Sequence, residues 1–200
     1  MNILNNFKLL DFKLKRRIYN FILTHFFGWV IKGNSTFSKL KIKKAILIAA
    51  PHTHWMDLFL GILIRGSVGF KSSFIAKKEL FFFPLSIFLK LIGGIPVNRS
   101  KKNNTVNEIV NIFNQRKEFM LSLAPEGTRQ KVSKFKTGFY YIAKEAGIPI
   151  IMITMDYSNK QSLISDPFYP TKNFKDDLNF IESFFDGVEG KVKEYSFTKS

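Results

Sequence analysis

Three short, continuous apolar runs constrain the fold of this chain more than any other feature. Runs of this length without polar alternation are typical of strands that are buried on both faces of a sheet. The segments at 58–64, 106–116, 138–146 and 174–185 favour helices instead. The chain is therefore expected to be an α/β protein built on a central sheet. The three apolar runs are Ala45–Ala50, Phe119–Ala124 and Ile148–Met155.

Composition narrows the class of protein. A length of 200 residues favours one domain with a sizeable core, and the 23 phenylalanines exclude a disordered chain or one that only coats nucleic acid. The chain has no cysteine, so disulfides and thiolate catalysis are excluded. A formal net charge of +16 indicates an anionic partner, such as a membrane surface, nucleic acid or a phosphorylated substrate. A coding bias toward Lys, Asn, Ile and Phe would also raise this charge.

Two apolar segments are candidates for contact with a membrane surface. Asp11–Lys32 is predicted to be an amphipathic helix with a basic start and an aromatic end, which suits either a bilayer interface or packing on the core. Leu80–Ile92 carries an aromatic cluster next to Lys77 and Lys78, and it fits either lipid headgroups or a buried helix. Neither segment has the roughly 20 clean apolar residues of a spanning helix. The start of the chain does not resemble a signal peptide.

A histidine and an aspartate follow the first apolar run. Pro51 ends the predicted strand, so His52 lies on a loop, and Asp57 comes five positions later beside the start of a helix. Within one helix the two side chains would lie about 140° apart, so pairing them requires His52 to precede the helix. A carboxylate that holds Nδ1 of the imidazole leaves Nε2 free to act as a general base. The alternative is a helix-capping aspartate beside an unrelated histidine.

No enzyme nucleophile accompanies this pair. The chain has no cysteine, and no serine lies in a strand-to-helix elbow such as Gly-x-Ser-x-Gly. The pair therefore suits a direct transfer, in which the hydroxyl group of the substrate itself attacks.

Polar residues also follow two other predicted strands. Arg99 ends a block that contains a glycine pair and a short strand, and its planar guanidinium suits phosphate or carboxylate. The run Phe119–Ala124 leads into the sequence Pro-Glu-Gly-Thr-Arg. In it, Gly127 permits a close approach of the backbone, Thr128 offers a hydroxyl and Arg129 offers a second guanidinium. Open α/β sheets place their sites at such carboxyl ends of strands.

Four motifs follow one another along the chain. They are His-x4-Asp from His52 to Asp57, the block Gly94-Ile-Pro-Val-Asn-Arg99, the block Pro125-Glu-Gly-Thr-Arg129, and the strand start Gly147-Ile-Pro-Ile150. Together they resemble the motifs of the glycerolipid acyltransferase family, and the resemblance covers about residues 45–157. It implies a single α/β domain with a mixed, mostly parallel sheet flanked by helices, and members that work at a membrane surface.

The resemblance implies transfer of a fatty acyl group from acyl-CoA or acyl carrier protein to a hydroxyl of a lyso-lipid, in phospholipid synthesis. The first acceptor that it suggests is 1-acylglycerol-3-phosphate. His52 would be the general base and Asp57 its orienting partner. A carboxylate repels phosphate, so Glu126 is expected to pair with an arginine or to hold a glycerol hydroxyl. The residues implied to bind the substrate, around the polar head of the acceptor, are Arg99, Glu126, Gly127, Thr128, Arg129 and Pro149.

The chain departs from the family pattern at four positions. The family often has Asn before the histidine, Asp before the arginine of the second block, Phe before Pro-Glu-Gly and Ser after the arginine of the third block. This chain has Pro51, Asn98, Ala124 and Gln130 at those positions. The dyad is complete, so acyl transfer stays the expectation, while other lyso-lipids or amine-bearing lipids stay open as acceptors.

These expectations divide the chain into three segments. Residues 1–44 are an N-terminal membrane-associating segment, residues 45–157 the acyltransferase core and residues 158–200 a peripheral C-terminal extension. The resemblance implies neither a cofactor nor a metal. The expected partners are the acyl donor, the lyso-lipid and an anionic membrane surface, with no nucleic acid. The expected location is the cytoplasmic face of the membrane, as a peripheral or monotopic protein.

Two other functions compete with acyl transfer. A metallohydrolase would use His52, His54 and Asp57, but the aspartate is one position too far along for a His-x-His-x-Asp-His motif, and only His25 remains as a further histidine. Activity that survives chelators would remove this alternative. A non-enzymatic basic module that binds membrane or nucleic acid fits the charge and the aromatic residues, but it leaves the dyad unexplained. Salt-sensitive binding to oligonucleotides without acyl transfer would favour it.

Overall fold

Strands and helices alternate along most of the chain in a computed structural model, which describes residues 13–33, 42–97 and 105–199. The strands are β1 (Val30–Gly33), β2 (Lys44–Ala50), β3 (Ser73–Lys77), β4 (Gly94–Val97), β5 (Phe119–Leu123), β6 (Ile150–Thr154) and β7 (Gln161–Ile164). The helices are α1 (13–26, of which Ile22–Phe26 is a π-helix), α2 (Asp57–Val68), α3 (Leu85–Leu91), α4 (Thr105–Gln115), α5 (Gly138–Ala146) and α6 (Phe174–Phe185). Short 3₁₀ turns lie at Lys78–Leu80 and Lys193–Tyr195.

The strands of the described ranges form one mixed sheet in the order β1-β7-β6-β2-β5-β3-β4. Strands β6, β2, β5, β3 and β4 run parallel to one another, β7 pairs antiparallel with β6, and β1 runs parallel to β7. Parallel strands end at the same edge of a sheet, so the loops after β6, β2 and β5 are neighbours. This architecture confirms the predicted fold class.

Helices cover both faces of the sheet, as alternation along the central strand β2 requires. Ile46 and Ile48 belong to one buried cluster, and Ala45 and Leu47 belong to another on the opposite face. This burial on both sides explains why β2 is apolar throughout. The helix residues that meet the two faces are Phe113, Phe139 and Ile181 of α4, α5 and α6 on the first side, and Leu23, Leu60 and Ile64 of α1 and α2 on the second.

The predicted N-terminal helix is confirmed, but the limits of two helices in the N-terminal half differ from the prediction. The sequence predicts one helix over Asp11–Lys32, whereas α1 ends at Phe26 and β1 follows. Gly28 turns the chain between them with a φ of +68°. The sequence predicts the next helix over 58–64, whereas α2 continues to Val68 and ends at Gly69, with a φ of +86°. Residues 11 and 12 lie outside the described part of the chain.

The apolar stretch at 80–92 forms a shorter and more exposed helix than a buried one would be. In α3 only Leu89 is buried. Phe83, Ile87 and Leu91 are 80%, 54% and 80% exposed. The interpretation as a buried helix is therefore wrong. Across the described ranges no helix combines the length and the apolar composition needed to cross a bilayer.

The segment that follows β6 contributes to the main core. Strand β7 joins the sheet, and Ile181, Phe185 and Phe197 are buried in the same cluster as Ile46 of β2. Apolar side chains of this size bury more than 100 Å² each, so their loss would expose the face of the sheet under α6. The segment is thus more than the peripheral covering that the sequence predicts. The bounds of the three predicted segments stay predictions.

Candidate active site

The loop between β2 and α2 brings His52 and Asp57 together. Strand β2 ends at Ala50, a cis Ala50–Pro51 peptide follows, and Asp57 is the first residue of α2. Nδ1 of His52 lies 3.1 Å from Oδ2 of Asp57. The side chain of Asp57 is fully buried, whereas that of His52 is 24% exposed. The imidazole therefore has its carboxylate partner inside the protein and its other edge open to solvent.

Asp57 also holds the loop that carries the histidine. Its Oδ2 accepts the backbone N–H groups of Thr53 at 2.8 Å and His54 at 2.7 Å. Its Oδ1 accepts the hydroxyl of Tyr157 at 2.7 Å. The Asp57 side chain thus accepts N–H groups of the loop instead of capping α2, and it also contacts the imidazole of His52.

These donors keep the Asp57 carboxylate ionised. Burial by itself would raise the pKa of Asp57, but hydrogen bonds from the imidazole, a loop N–H and the Tyr157 hydroxyl outweigh it and hold this pKa below its usual range. A carboxylate at Nδ1 favours the tautomer with the proton on Nδ1, so Nε2 of His52 carries the lone pair. The pair can therefore accept a proton at Nε2 and stabilise the imidazolium that results.

Arg129 lies at the open edge of the imidazole. Its Nε is 3.5 Å from Nε2 of His52, although the two residues are far apart in sequence. Arg129 follows β5, the neighbour of β2 in the sheet, and its side chain is exposed. A guanidinium at this place can bind an anionic group of a molecule whose hydroxyl reaches the base.

Glu126 supports the His52 loop from below. It is 2% exposed, and its Oε1 accepts the backbone N–H of His52 at 2.9 Å. Within the described part of the chain its Oε2 has no hydrogen-bond partner. Burial raises the pKa of Glu126 to about 7, because water no longer solvates the charged form. The sequence predicts an arginine or a glycerol hydroxyl as the partner of Glu126. The partner of Oε1 in the structure is instead the backbone N–H of the His52 loop.

Replacing Glu126 with glutamine should change how stability depends on pH. The folded state binds the Glu126 proton more tightly than the unfolded chain, so the stability that this group contributes is present at low pH and is lost as pH rises through about 7. Glutamine keeps an acceptor for the His52 N–H but does not ionise. The free energy of unfolding of Glu126→Gln relative to the wild type should therefore increase between pH 5 and pH 8, by up to about 3 kcal/mol.

Urea unfolding at the two pH values measures this difference. Glu145→Gln, which removes an exposed carboxyl from α5, is the matched control. An equal pH dependence in both variants would contradict a buried charge at Glu126.

The side chain of Lys136 lies against Gly127 in the Pro-Glu-Gly-Thr-Arg loop. Gly127 has a φ of +65°, and a Cβ added to it would lie 2.6 Å from Nζ of Lys136 and 2.8 Å from its Cδ. The backbone N–H of Lys136 donates to the Pro125 carbonyl at 2.8 Å. Thr128 accepts the Gln130 N–H at 3.3 Å. Glycine suits position 127 because of this left-handed backbone conformation, and its lack of a Cβ leaves room for the Lys136 side chain.

The structure does not bring Pro149 to this site. Its carbonyl accepts the Ile46 N–H at 3.0 Å, at the amino end of β6. His52 follows the carboxyl end of β2, where Ala50 pairs with Thr154. Five residues of strand separate Pro149 from Thr154, a distance of roughly 17 Å. Pro149 therefore lies at the opposite end of β6 from His52, because it precedes its strand instead of following it, and its assignment to the substrate stays a prediction. Arg99 lies outside the described residues.

Sequence reasoning missed three contacts of the His52 loop. Tyr157 follows β6, so the rule that places sites after parallel strands could have found it. Thr53 accepts the Val192 N–H at 3.1 Å, and a Cβ added to Gly190 would lie 2.7 Å from its Oγ1. No local pattern in the sequence signals this contact across 139 positions. The C-terminal segment thus packs directly on the His52 loop.

Metal ligands do not gather near the dyad or elsewhere in the ranges that the structure describes. No group of three or more His, Cys, Asp or Glu side chains there has the arrangement that could hold an ion. The three histidines are spread over α1 and the His52 loop, and the Nδ1 atom of His54 accepts the Met56 N–H at 3.2 Å.

Comparison with known proteins gives the site its family. A family model described as Acyltransferase matches residues 30–156. The 1-acyl-sn-glycerol-3-phosphate acyltransferase of Escherichia coli (strain K12) is 36% identical over 97 residues, which cover 44% of this chain and 39% of that enzyme. The match therefore spans less than half of the length of that enzyme. The Haemophilus influenzae enzyme of the same name is 25% identical over 188 residues, which cover 84% of this chain and 76% of that enzyme.

A solved structure shares the fold. The 1-acyl-sn-glycerophosphate acyltransferase of Thermotoga maritima superposes with a TM-score of 0.62 at 19% identity, and the alignment covers 92% of this chain and 80% of that one. The aligned share of this chain is larger than the part that the family model matches. Together with the family model, which covers most of the sheet and both polar loops, these findings show that the chain belongs to the acyltransferase family.

Proposed function

We propose that this protein transfers a fatty acyl group from a thioester donor, acyl-CoA or acyl carrier protein, to a hydroxyl group of a lyso-lipid. The observation that carries the proposal is the pair of His52 and Asp57, with Nδ1 on a buried carboxylate and Nε2 at an open edge beside Arg129. The relatives named 1-acyl-sn-glycerol-3-phosphate acyltransferases support 1-acylglycerol-3-phosphate as the acceptor in phospholipid synthesis.

The reaction needs one base and no enzyme nucleophile. Nε2 of His52 takes the proton of the acceptor hydroxyl as its oxygen attacks the thioester carbonyl. The C–O bond forms, the tetrahedral intermediate collapses with cleavage of the C–S bond, and the imidazolium returns its proton to the leaving thiolate. Asp57 stabilises the imidazolium between these steps. The absence of cysteine from the sequence agrees with direct attack by the acceptor.

The most informative experiment is a panel of acceptors. The purified protein is incubated with labelled acyl-CoA or acylated carrier protein and with lyso-lipids that differ in headgroup. We expect product with a phosphate-bearing acceptor, and the faster donor identifies the physiological thioester. Absence of product with every donor and acceptor pair, from folded protein on lipid vesicles, would overturn the proposed function.

Arg129→Ala should weaken use of a phosphate-bearing acceptor. A charge-assisted hydrogen bond from the guanidinium to phosphate contributes enough for the KM of that acceptor to rise about tenfold. The KM of monoacylglycerol, which lacks the phosphate, should change little. Lys131→Ala, which removes the same charge two positions along the loop, is the control. Equal effects of the two variants on the acceptor KM would indicate a general charge effect instead of a phosphate contact.

We also propose that α3 rests on an anionic membrane surface, at the cytoplasmic face. Ile87 and Leu91 lie four residues apart in α3, so they share one face of the helix, and each is more than half exposed. Phe83, which precedes the helix, is 80% exposed. Lys90 and Lys78 are exposed beside them. Apolar side chains flanked by lysines match the acyl and headgroup layers of an anionic bilayer, and the acceptor itself resides there.

The double substitution of Ile87 and Leu91 with aspartate should reduce membrane binding. Each aliphatic side chain buried in lipid contributes about 1.5 kcal/mol or more, so partitioning onto vesicles of phosphatidylglycerol and phosphatidylcholine should fall at least tenfold. Co-sedimentation measures this. Phe180→Asp on α6, at a site that is 52% exposed, controls for the loss of a surface apolar group. A similar loss of binding in the control would contradict a specific role of α3.

A further inference from the structure

Tyr157 contacts Asp57 of the dyad, although it belongs to none of the four sequence motifs. It lies three positions beyond the end of β6, and its hydroxyl donates to Oδ1 of Asp57 at 2.7 Å. This oxygen is the one that faces away from the imidazole, because Nδ1 of His52 and two loop N–H groups meet Oδ2. The two oxygens of the carboxylate thus receive donors from different elements of the fold.

Several contacts hold the ring of Tyr157 in place. It packs against the ring of Trp29 in an edge-to-face contact, with the ring centres 5.0 Å apart and the ring planes at 87°. Its backbone N–H donates to the Glu189 carbonyl at 2.8 Å. Burial and the hydrogen bond to Asp57 raise the pKa of the phenol well above its usual range, so the hydroxyl keeps its proton and remains a donor. A donor fixed in this way can set the orientation of the carboxylate that it contacts.

We propose that Tyr157 is a positioning residue of the dyad, whose hydroxyl fixes the Asp57 carboxylate so that Oδ2 stays aligned with Nδ1 of His52. The proposal rests on the proposed function, in which His52 is the base. Tyr157 does not touch the substrate in this account and acts only through Asp57. At other histidine sites, too, a carboxylate that is itself hydrogen-bonded by an outer donor fixes the tautomer of the imidazole.

Loss of this hydroxyl should leave the carboxylate free to turn. Oδ1 would lose its donor, while Nδ1 of His52 and the backbone N–H groups of Thr53 and His54 would still share Oδ2. The hydrogen bond from Nδ1 of His52 to Oδ2 should then weaken, and Asp57 should stabilise the imidazolium less during the reaction.

The test is Tyr157→Phe, with Tyr140→Phe as a matched control. Tyr140 is also a buried tyrosine that donates to a buried carboxylate, Oδ2 of Asp177 at 2.8 Å, but it lies away from the dyad. We expect Tyr157→Phe to lower kcat about tenfold with both KM values within about twofold, in keeping with a hydrogen bond to a charged group. The proton NMR resonance of the His52 Nδ1–H, which reports the hydrogen bond to Asp57, should move upfield as that bond weakens. Tyr140→Phe should leave kcat and this resonance as in the wild type.

Two results would overturn the proposal. One is a Tyr157→Phe protein with wild-type kcat and an unchanged His52 Nδ1–H resonance. The other is a further tenfold loss when Tyr157→Phe is added to Asp57→Asn, because a residue that acts only through Asp57 has no effect once that carboxylate is gone. The NMR measurement needs no activity, so it tests the contact even if the protein proves to transfer no acyl group.

Discussion

His52→Ala is expected to lower acyl transfer by about 10²-fold or more while the protein stays folded. A positioned base contributes this much, and no other side chain in the described site offers an unprotonated nitrogen at the open edge. The side chain of His52 is partly exposed, and its backbone N–H still donates to Glu126 in the variant. The loop should therefore keep its shape while the proton acceptor is lost.

The measurement is single-turnover acyl transfer with the best donor and acceptor from the panel, with urea unfolding as the check on folding. His54→Ala is the control, because it removes an imidazole from the same loop and keeps the N–H that donates to Asp57. We expect it to reduce the rate by less than about threefold. A wild-type rate in His52→Ala would mean that another group takes the proton, and the mechanism would be wrong.

Asp57→Asn should have a comparable effect on the rate for a different reason. The three donors on Oδ2 favour the amide carbonyl at that position, which places the amide NH₂ toward the Tyr157 hydroxyl. The loop can then keep its hydrogen bonds. A neutral amide, however, does not stabilise the imidazolium that forms in the reaction, so we expect a loss of about 10²-fold or more in kcat.

Asp177→Asn separates this catalytic role from the structural role of a buried carboxylate. Asp177 accepts the Tyr140 hydroxyl and both the N–H and the hydroxyl of Thr171. The hydrogen bonds from Thr171 and Tyr140 outweigh the effect of burial and lower the pKa of Asp177, as donors do at Asp57. We expect Asp177→Asn to lower the free energy of unfolding by about 1–3 kcal/mol and to leave kcat within about twofold. Equal loss of kcat in the two variants would show that Asp57 contributes only to stability.

Local patterns predicted the elements whose limits depend on neighbouring residues. Helices α5 and α6 begin and end where the sequence predicts. Gly147 ends α5 with a φ of +63°, and the Asn173 side chain accepts the Asp176 N–H at the start of α6. A capping residue or a terminal glycine acts on the few residues beside it, so its effect can be predicted from one short stretch of sequence.

Strands β1 and β7, which pair with each other across the chain, were not predicted. Val30 continues the helical spacing of the residues before it, yet Val30–Gly33 forms β1 because β7 offers a parallel partner at Gln161–Ile164. β7 itself is short, and three of its four residues are polar or exposed. Its pairing with β1 spans more than 100 positions of the chain, so no single stretch of sequence indicates either strand.

The sequence by itself placed His52 after a buried strand and Asp57 at the start of the next helix, a spacing that allows the two side chains to pair. It also indicated that Arg129 and Glu126 follow a second strand of the same kind. Only the tertiary structure decided what each does there. Glu126 accepts the backbone N–H of His52, and the Tyr157 hydroxyl donates to the Asp57 carboxylate. Pro149 lies at the amino end of β6, opposite to the strand ends that carry the site. Contacts across strands depend on register and strand order, which no single stretch of sequence contains.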